Sequence, residues 1–198
     1  MPHATAAPAA DTRAVILAAA ISILQREGAG AMTVRSVAAA AGCSTTGVYT
    51  WFGGKAGLVE AIYIDGFENF GEALNTARRK APADRLLTEL AVAYRAWARA
   101  HPTQYMVMFG RAVPDYEPSE HAQAVSLATF DDMVASTSAT MAAIELAGDP
   151  VDIAFHLWAG IHGHISLELA GMDLAADEVE RAERFDRGLQ RLLRGCRL

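Results

Sequence analysis

Residues 41–58 read AGCSTTGVYTWFGGKAGL, a short helical segment set between glycines. Gly42 permits a sharp turn that a residue with a Cβ resists. Ser44 is of the type that caps a helix N-terminus, so the spacing predicts a helix from Ser44 through Trp51. Gly53 and Gly54 break that helix. Val48 and Phe52 fall on the side expected to be buried, and Trp51 is expected to pack as well. The other side carries Ser44, Thr45, Thr46, Tyr49 and Thr50, a dense row of hydroxyls for so short a helix.

Upstream, Thr33 is placed to cap a helix in which Val34, Val37, Ala38 and Ala41 repeat at helical spacing. Before it, Thr12 to Arg26 is helical, with Leu17, Ala20, Ile21 and Leu24 in one stripe, and Gly28 and Gly30 end it. Three short helices cannot each bury a face alone, so they must cross one another. A helix, a tight glycine-containing turn and a second helix form the helix-turn-helix arrangement, whose second helix lies in the DNA major groove. Ser44, Thr45 and Thr46 would then meet base edges or phosphates, with Tyr49 and Thr50 one turn later. Gly47 would let the backbone approach the duplex. Lys55 would reach a phosphate, and Arg35 a base or phosphate from the preceding helix. The plainer alternatives are that Ser44 only caps and that Thr45 and Thr46 are only solvated.

Composition agrees with this division. The chain has 198 residues, 52% of them hydrophobic, with alanine prominent. Alanine favours helix, and the expected class is all-α with about nine helices. Net charge is −6. Residues 1–57 hold Arg13, Arg26, Arg35 and Lys55 against Asp11 and Glu27, a balance of +2, which leaves −8 for the remainder. A DNA-facing surface is therefore expected only near the N-terminus, and thin charge there calls for two copies acting together. Cys43 and Cys196 are distant in sequence and read as free thiols of a cytoplasmic protein. No apolar stretch reaches the roughly 18 residues of a membrane span. Residues 1–10, without an export pattern, are expected to be a flexible tail, 11–55 the DNA-binding domain, and 56–198 a ligand-binding and dimerisation domain.

In that larger segment, helices are expected over about 56–80, 82–100, 103–110, 119–146, 151–169 and 176–194. The helix at 151–169 is apolar on two sides: Ile153, Leu157, Gly160, Ile161, His164 and Glu168 on one, Phe155, Trp158, His162, Ile165 and Leu169 on the other. Such a helix is buried twice, and Gly160 and Gly163 admit close neighbours. With the last helix it is expected to form half of an intersubunit four-helix bundle through roughly 151–195. Trp97, His101, Tyr105, Met106, Phe109, Phe130 and Met133 are candidates to line a cavity for a small apolar or aromatic effector, with His156 and His162 as polar contacts. The same side chains would serve equally as bundle core.

Catalytic and metal readings fare poorly. His156 and His164, eight apart on a helix, diverge by about 80°, no HExxH or phosphate-binding glycine loop is present, and no cofactor is expected.

The run TRAVILAAAISILQREGAGAMTVRSVAAAAGCSTTGVYTWFGGKAGLVEAIY resembles the DNA-binding region of the TetR/AcrR family of transcriptional regulators. The ordered elements are T-V-R, A-A-A-A-G-C-S, G-V-Y-T-W-F and G-K-A-G-L. The resemblance implies Thr33 and Arg35 at the groove edge, Thr45 and Thr46 at the head of the recognition helix, and Tyr49 and Lys55 on phosphates. It also implies a homodimer on a double-stranded palindromic operator, most often a repressor released by a small molecule, with an activator or a ligand-independent DNA-binding protein as the alternatives. Ala39 and Ala40 stand where relatives often carry polar or charged residues, which weakens the electrostatic contribution. The segment LWAGIHGHISLE, 157–168, is similar to the Trp-His-Gly type of C-terminal domain in that family.

Overall fold

The computed structural model describes residues 9–110 and 112–198. Residues 1–8 of the expected tail lie outside the described residues, and Ala9 and Ala10 already belong to the first helix. The described residues form an all-α fold of nine α-helices: α1 (Ala9–Glu27), α2 (Val34–Ala40), α3 (Thr45–Phe52), α4 (Lys55–Lys80), α5 (Leu86–Ala100), α6 (Pro102–Phe109), α7 (Glu120–Ala143), α8 (Pro150–Leu169) and α9 (Glu178–Gly195). A single 3₁₀ turn, Ala83–Arg85, precedes α5.

Side-chain caps set many of the boundaries. Ser36 N–H donates to Thr33 Oγ1 at 3.1 Å while Thr33 N–H donates to Ser36 Oγ at 3.0 Å, a reciprocal box that starts α2. Gly47 N–H donates to Ser44 Oγ at 3.1 Å and starts α3. The Asp149 and Asp177 carboxylates accept from Val151 N–H at 2.9 Å and Glu180 N–H at 2.8 Å, starting α8 and α9. The α2–α3 turn passes through Gly42 at φ 67°, and α3 ends at Gly53 at φ 69°. Both lie in the left-handed region that costs a Cβ-bearing residue about 1 kcal/mol.

The chain divides into two compact units. One takes the chain up to Phe67 together with Thr103–Val125, the other Glu68–Pro102 together with Ser126–Leu198. In the first, α2 packs between α1 and α3. The core holds Ile16, Leu17, Ala20, Ile23, Leu24, Val37, Ala38, Val48 and Phe52. The α1 stripe is thus centred one residue away from the expected one: Ile16 and Ile23 are buried and Ile21 only half-buried. Trp51 also departs from expectation, being 38% exposed. It lies on the helix between inward-facing Val48 and Phe52, and a two-turn helix has room to bury only one stripe. The α3–α4 corner is tight, since a Cβ on Gly57 would lie 1.6 Å from the Phe52 carbonyl oxygen. The Glu60 carboxylate on α4 accepts from the Tyr116 hydroxyl, the Ser119 N–H and the Ser119 hydroxyl, fastening the 112–119 loop. Burial and the Glu60 charge push the Tyr116 phenol well above its ordinary range.

In the second unit α8 packs against both α5 and α9. Glycines set the α8–α9 distance: a Cβ at Gly160 would fall 2.6 Å from Leu192 Cδ1, and one at Gly188 2.5 Å from His164 Nε2. Glu168 is the polar centre of this unit, with its side chain only 8% exposed. It accepts from Arg95 Nε at 2.8 Å and Arg95 Nη2 at 2.9 Å, and pairs with Arg99 Nε at 3.0 Å. Glu178, opening α9, joins the same arginines. Two i,i+4 pairs run along α9: Glu180–Arg184 at 2.8 Å and Glu183–Arg187 at 3.2 Å. The helix expected over 119–146 stops at Ala143, where Ile144 and Leu146 turn back onto Met141 and Glu145 takes φ 53°.

Candidate nucleic-acid interface

Capping and core packing fix α3 from both sides. Ser44 holds its N-terminus, and Val48 and Phe52 are inserted in the three-helix core at 0% and 8% exposure. What remains on the outer side is polar: Ser44, Thr45, Thr46, Tyr49 and Thr50 are all exposed, as are Thr33 and Arg35 on the adjoining edge and Lys55 at the start of α4. The structure therefore brings the DNA-binding set read from the sequence onto one unit, with every member exposed except half-buried Gly47. Tyr49 is 58% exposed. Its ring lies against Gly54, where a Cβ would come to 3.3 Å from Cε1.

Several of these groups have work inside the protein as well. The Ser44 and Thr33 hydroxyls accept the cap bonds, the Thr50 hydroxyl donates to the Thr46 carbonyl at 2.9 Å, and Lys55 Nζ donates to the Ala29 carbonyl at 2.8 Å. An ammonium has three donors, so this bond anchors Lys55 without exhausting it. Gly47 differs. A Cβ there would meet Ser44 Oγ at 3.6 Å and Cys43 Sγ at 4.0 Å, ordinary contacts, so nothing among the described residues demands its small size. Of the other cations near this surface, Arg13 lies over the Phe52 ring at 5.3 Å and Arg26 pairs with Glu27 at 3.6 Å.

The residues read as effector contacts fall in both units. In the first, Tyr105 and Phe109 are 5.0 Å apart between ring centroids, Phe109 meets Phe67 at 5.3 Å, and Met106 is exposed. In the second, Trp97 is buried, stacks on His101 at 4.8 Å and meets Phe70 at 5.2 Å. His101 Nδ1 donates to the Trp97 carbonyl at 3.0 Å, a helix C-cap. Phe130 packs on Trp158 at 6.0 Å and on Phe155 at 6.5 Å, Met133 on the same helix is half-buried, and His156 is exposed. His162 sits between the Tyr94 hydroxyl (3.4 Å, Nδ1) and the Ser166 hydroxyl (3.2 Å, Nε2). Burial lowers the pKa of its imidazole below the ordinary value. Sequence reasoning missed Gly57, the Glu60 clamp and the Arg95–Glu168 pair. The clamp and the pair join residues far apart in sequence, and Gly57 answers to backbone across a corner.

Among the described residues no group of three or more His, Cys, Asp or Glu side chains is placed to hold a metal ion, and no helix is long and apolar enough to cross a membrane.

Three crossing helices, a tight second turn and an exposed polar third helix define a helix-turn-helix protein. Comparisons with known proteins carry the identification further. Residues 16–62 match the profile of the bacterial regulatory proteins of the tetR family, and residues 87–192 match the tetracyclin repressor-like C-terminal domain. The chain is 25% identical over 195 residues to the HTH-type transcriptional regulator Rv1816 of Mycobacterium tuberculosis, covering 81% of this chain and 83% of the relative. A protein of unknown function from Rhodococcus sp. RHA1 superposes with a TM-score of 0.81 at 27% identity, covering 98% of both chains. The regulator PfmR from Thermus thermophilus, at 18% identity and a TM-score of 0.68 over 88% of this chain and 97% of its own, shares the fold. The chain belongs to the TetR family of helix-turn-helix transcriptional regulators.

Proposed function

We propose that this regulator is a repressor that binds a palindromic operator as a homodimer in the cytoplasm and is released by a small apolar or aromatic molecule. On this reading residues 11–55 read DNA, and residues 56–198 dimerise and sense the effector. One observation carries it: α3 presents a row of exposed hydroxyls around Gly47, a glycine whose smallness serves no contact among the described residues. A helix interior glycine costs about 1 kcal/mol against alanine, which fits a surface selected for close backbone approach by a duplex. Thr45, Thr46 and Tyr49 read the site; Thr33, Arg35, Ser44, Thr50 and Lys55 position the head on phosphates.

The dimer reading is supported by α8. Val151, Phe155, Ala159, Gly163 and Leu167 form an unbroken i+4 stripe, with Val151, Phe155 and Leu167 47%, 55% and 52% exposed in the single chain. A Cβ on Gly163 would meet nothing within 4 Å. Such ridges interdigitate in helix–helix contacts. Two heads held by this face would address half-sites one helical turn or more apart. Trp158, His162 and Gly163, on the same helix, support assignment to the Trp-His-Gly type of C-terminal domain.

Selection on random duplexes with the purified protein, followed by sedimentation of the free and bound forms, tests both halves of the reading. The expected result is an inverted-repeat site bound by two chains. Joint replacement of Thr45, Thr46 and Tyr49 by alanine is expected to abolish that binding in a folded protein. Unchanged affinity would refute the assigned interface, and a monomer at micromolar concentration would refute the dimer. For the effector, operator-bound protein is titrated with small aromatic and apolar compounds. A compound that binds without altering operator affinity argues against release.

A further inference from the structure

Hydroxyl side chains inside a helix commonly return to a backbone carbonyl one turn earlier. Three on α7 do so: Thr129 donates to the Ser126 carbonyl at 2.7 Å, Ser136 to that of Asp132 at 2.8 Å, and Thr140 to that of Ser136 at 3.0 Å. Thr137 does not. It is 0% exposed, and its Oγ1 has no hydrogen-bond partner among the described residues. Aromatic residues aside, Ser136 and Thr137 are the buried polar side chains of the second unit among the described residues. Ser136 is satisfied twice, since it also accepts from Arg78 Nε at 3.1 Å. A buried hydroxyl left unpaired costs about 1–3 kcal/mol, so Thr137 calls for a partner from outside the chain. It is covered by its own chain, not by a face that a second copy would close.

Position on the helix says what kind of partner fits. Phe130, Met133, Thr137 and Met141 are spaced by three and four and share one side of α7. Both ends of that side meet apolar surroundings. Phe130 packs on Trp158 at 6.0 Å, and Met141 Cε lies 3.5 Å from where a Cβ on Gly148 would stand. Helical side chains lean toward the N-terminus, which directs Thr137 toward Met133 and Phe130. Those two are half-buried and lead from the surface to the hydroxyl, and an unbranched methionine repacks readily. Charge within this unit is already engaged: Arg78 by Asn75, Ser136 and Asp132, and Glu168 by Arg95 and Arg99. His162 is held between two hydroxyls, and burial disfavours its charged form. An ionised guest would enter this interior without a counter-charge, at high cost.

We propose that Thr137 is the hydrogen-bonding residue of the effector site, and that the effector is an uncharged, mainly apolar molecule carrying one hydroxyl or carbonyl oxygen. The inference rests on the effector-release reading above and narrows it. A hydroxyl both donates and accepts, so an alcohol, a phenol or a ketone meets the requirement. The polar contact thereby moves to α7, away from His156, which is exposed, and from His162, whose two ring nitrogens both have partners.

The probes are two pairs matched in shape, phenol with toluene and 4-ethylphenol with 4-ethyltoluene, titrated calorimetrically into the full-length protein. At least one phenol should bind saturably, one per chain, and more tightly than its methyl counterpart. Thr137→Val keeps the shape and removes the hydroxyl. It should cut the hydroxyl-to-methyl affinity ratio about tenfold, while Thr137→Ser should preserve the ratio. In the free protein Thr137→Val should melt at or above the parent midpoint, because it removes an unpaired buried group. A lower midpoint would reveal an internal partner for the hydroxyl and overturn the proposal. So would a ratio unmoved by Thr137→Val, or no saturable binding of either phenol. Operator affinity measured with the bound probe separates this inference from the reading beneath it. Release of the operator with an unmoved ratio refutes Thr137 and keeps release. A ratio that moves without any change in operator affinity keeps Thr137 as a ligand contact and refutes release.

Discussion

Gly47 within the third helix and Gly57 just beyond it have opposite meanings, and single substitutions separate them. Gly47 has ordinary clearance for a methyl group and sits in helical backbone. Gly47→Ala should therefore raise thermal stability, by roughly 0.5–1 kcal/mol, while operator affinity measured by fluorescence anisotropy falls. A variant both more stable and equally tight on DNA would remove the argument for close backbone approach. Gly57 has no such clearance, because the Phe52 carbonyl occupies the place of its Cβ. Gly57→Ala should cost several kcal/mol in denaturant titration, since only a backbone shift can relieve the clash. Both residues stand in the quoted stretch, and their letters are identical. The hydroxyl row could be read from spacing; the reason for each glycine could not, because it depends on what the backbone meets across a corner.

At the scale of the element, α8 is held by ionic and polar contacts at Glu168 and His162 in addition to its buried apolar residues. Glu168 is the shared acceptor of Arg95 and Arg99, and Arg95 has a side chain only 12% exposed. Glu168→Ala leaves Arg95, in its buried site, with only the longer contact to Glu178 at 3.4 Å, and should cost about 3 kcal/mol, the low end for a broken buried pair. Urea unfolding of the variant checks it. His162, on the same helix, gives a pH dependence. Burial lowers its folded-state pKa below the ordinary 6.5, so below that pH the unfolded chain binds more protons than the folded one and stability rises with pH. Stability should decline as pH falls from about 7 through the ordinary histidine range, and His162→Gln should flatten the decline. The α8 pattern predicted burial on two sides. It did not predict that Glu168, counted with an apolar side, would be the centre of an arginine cluster. Its partners Arg95 and Arg99 both lie on α5, 73 and 69 residues away along the chain.

For the whole molecule the small positive charge of the reading surface sets the salt response. Arg13 is engaged over Phe52 and Arg26 with Glu27, leaving Arg35 and the free donors of Lys55 for phosphates. If, as proposed, two chains occupy one operator, about four phosphates would be neutralised. The plot of log affinity against log salt should then have a slope near −4, taking about −0.9 per phosphate. A slope of about −8 would mean that cations outside the head contact DNA. On that proposal, specific contacts and bivalence would supply the affinity that charge does not.

The helix-turn-helix order, the all-α class and most helix boundaries followed from the sequence alone, because they are local. Caps, glycine breaks and apolar spacing act within one or two turns, and Thr33, Ser44, Gly53 and Asp149 carry their instructions beside the segments they govern. Which half of an ambiguous helix face is buried was settled by long-range packing. The same holds for how close two helices could come at Gly160 and Gly188, and for which polar groups were paired and which, as at Thr137, were left without a partner among the described residues. Those outcomes depend on groups brought together across tens of residues. A threonine bonded back to its helix and a threonine buried without a bond look the same until the chain has folded.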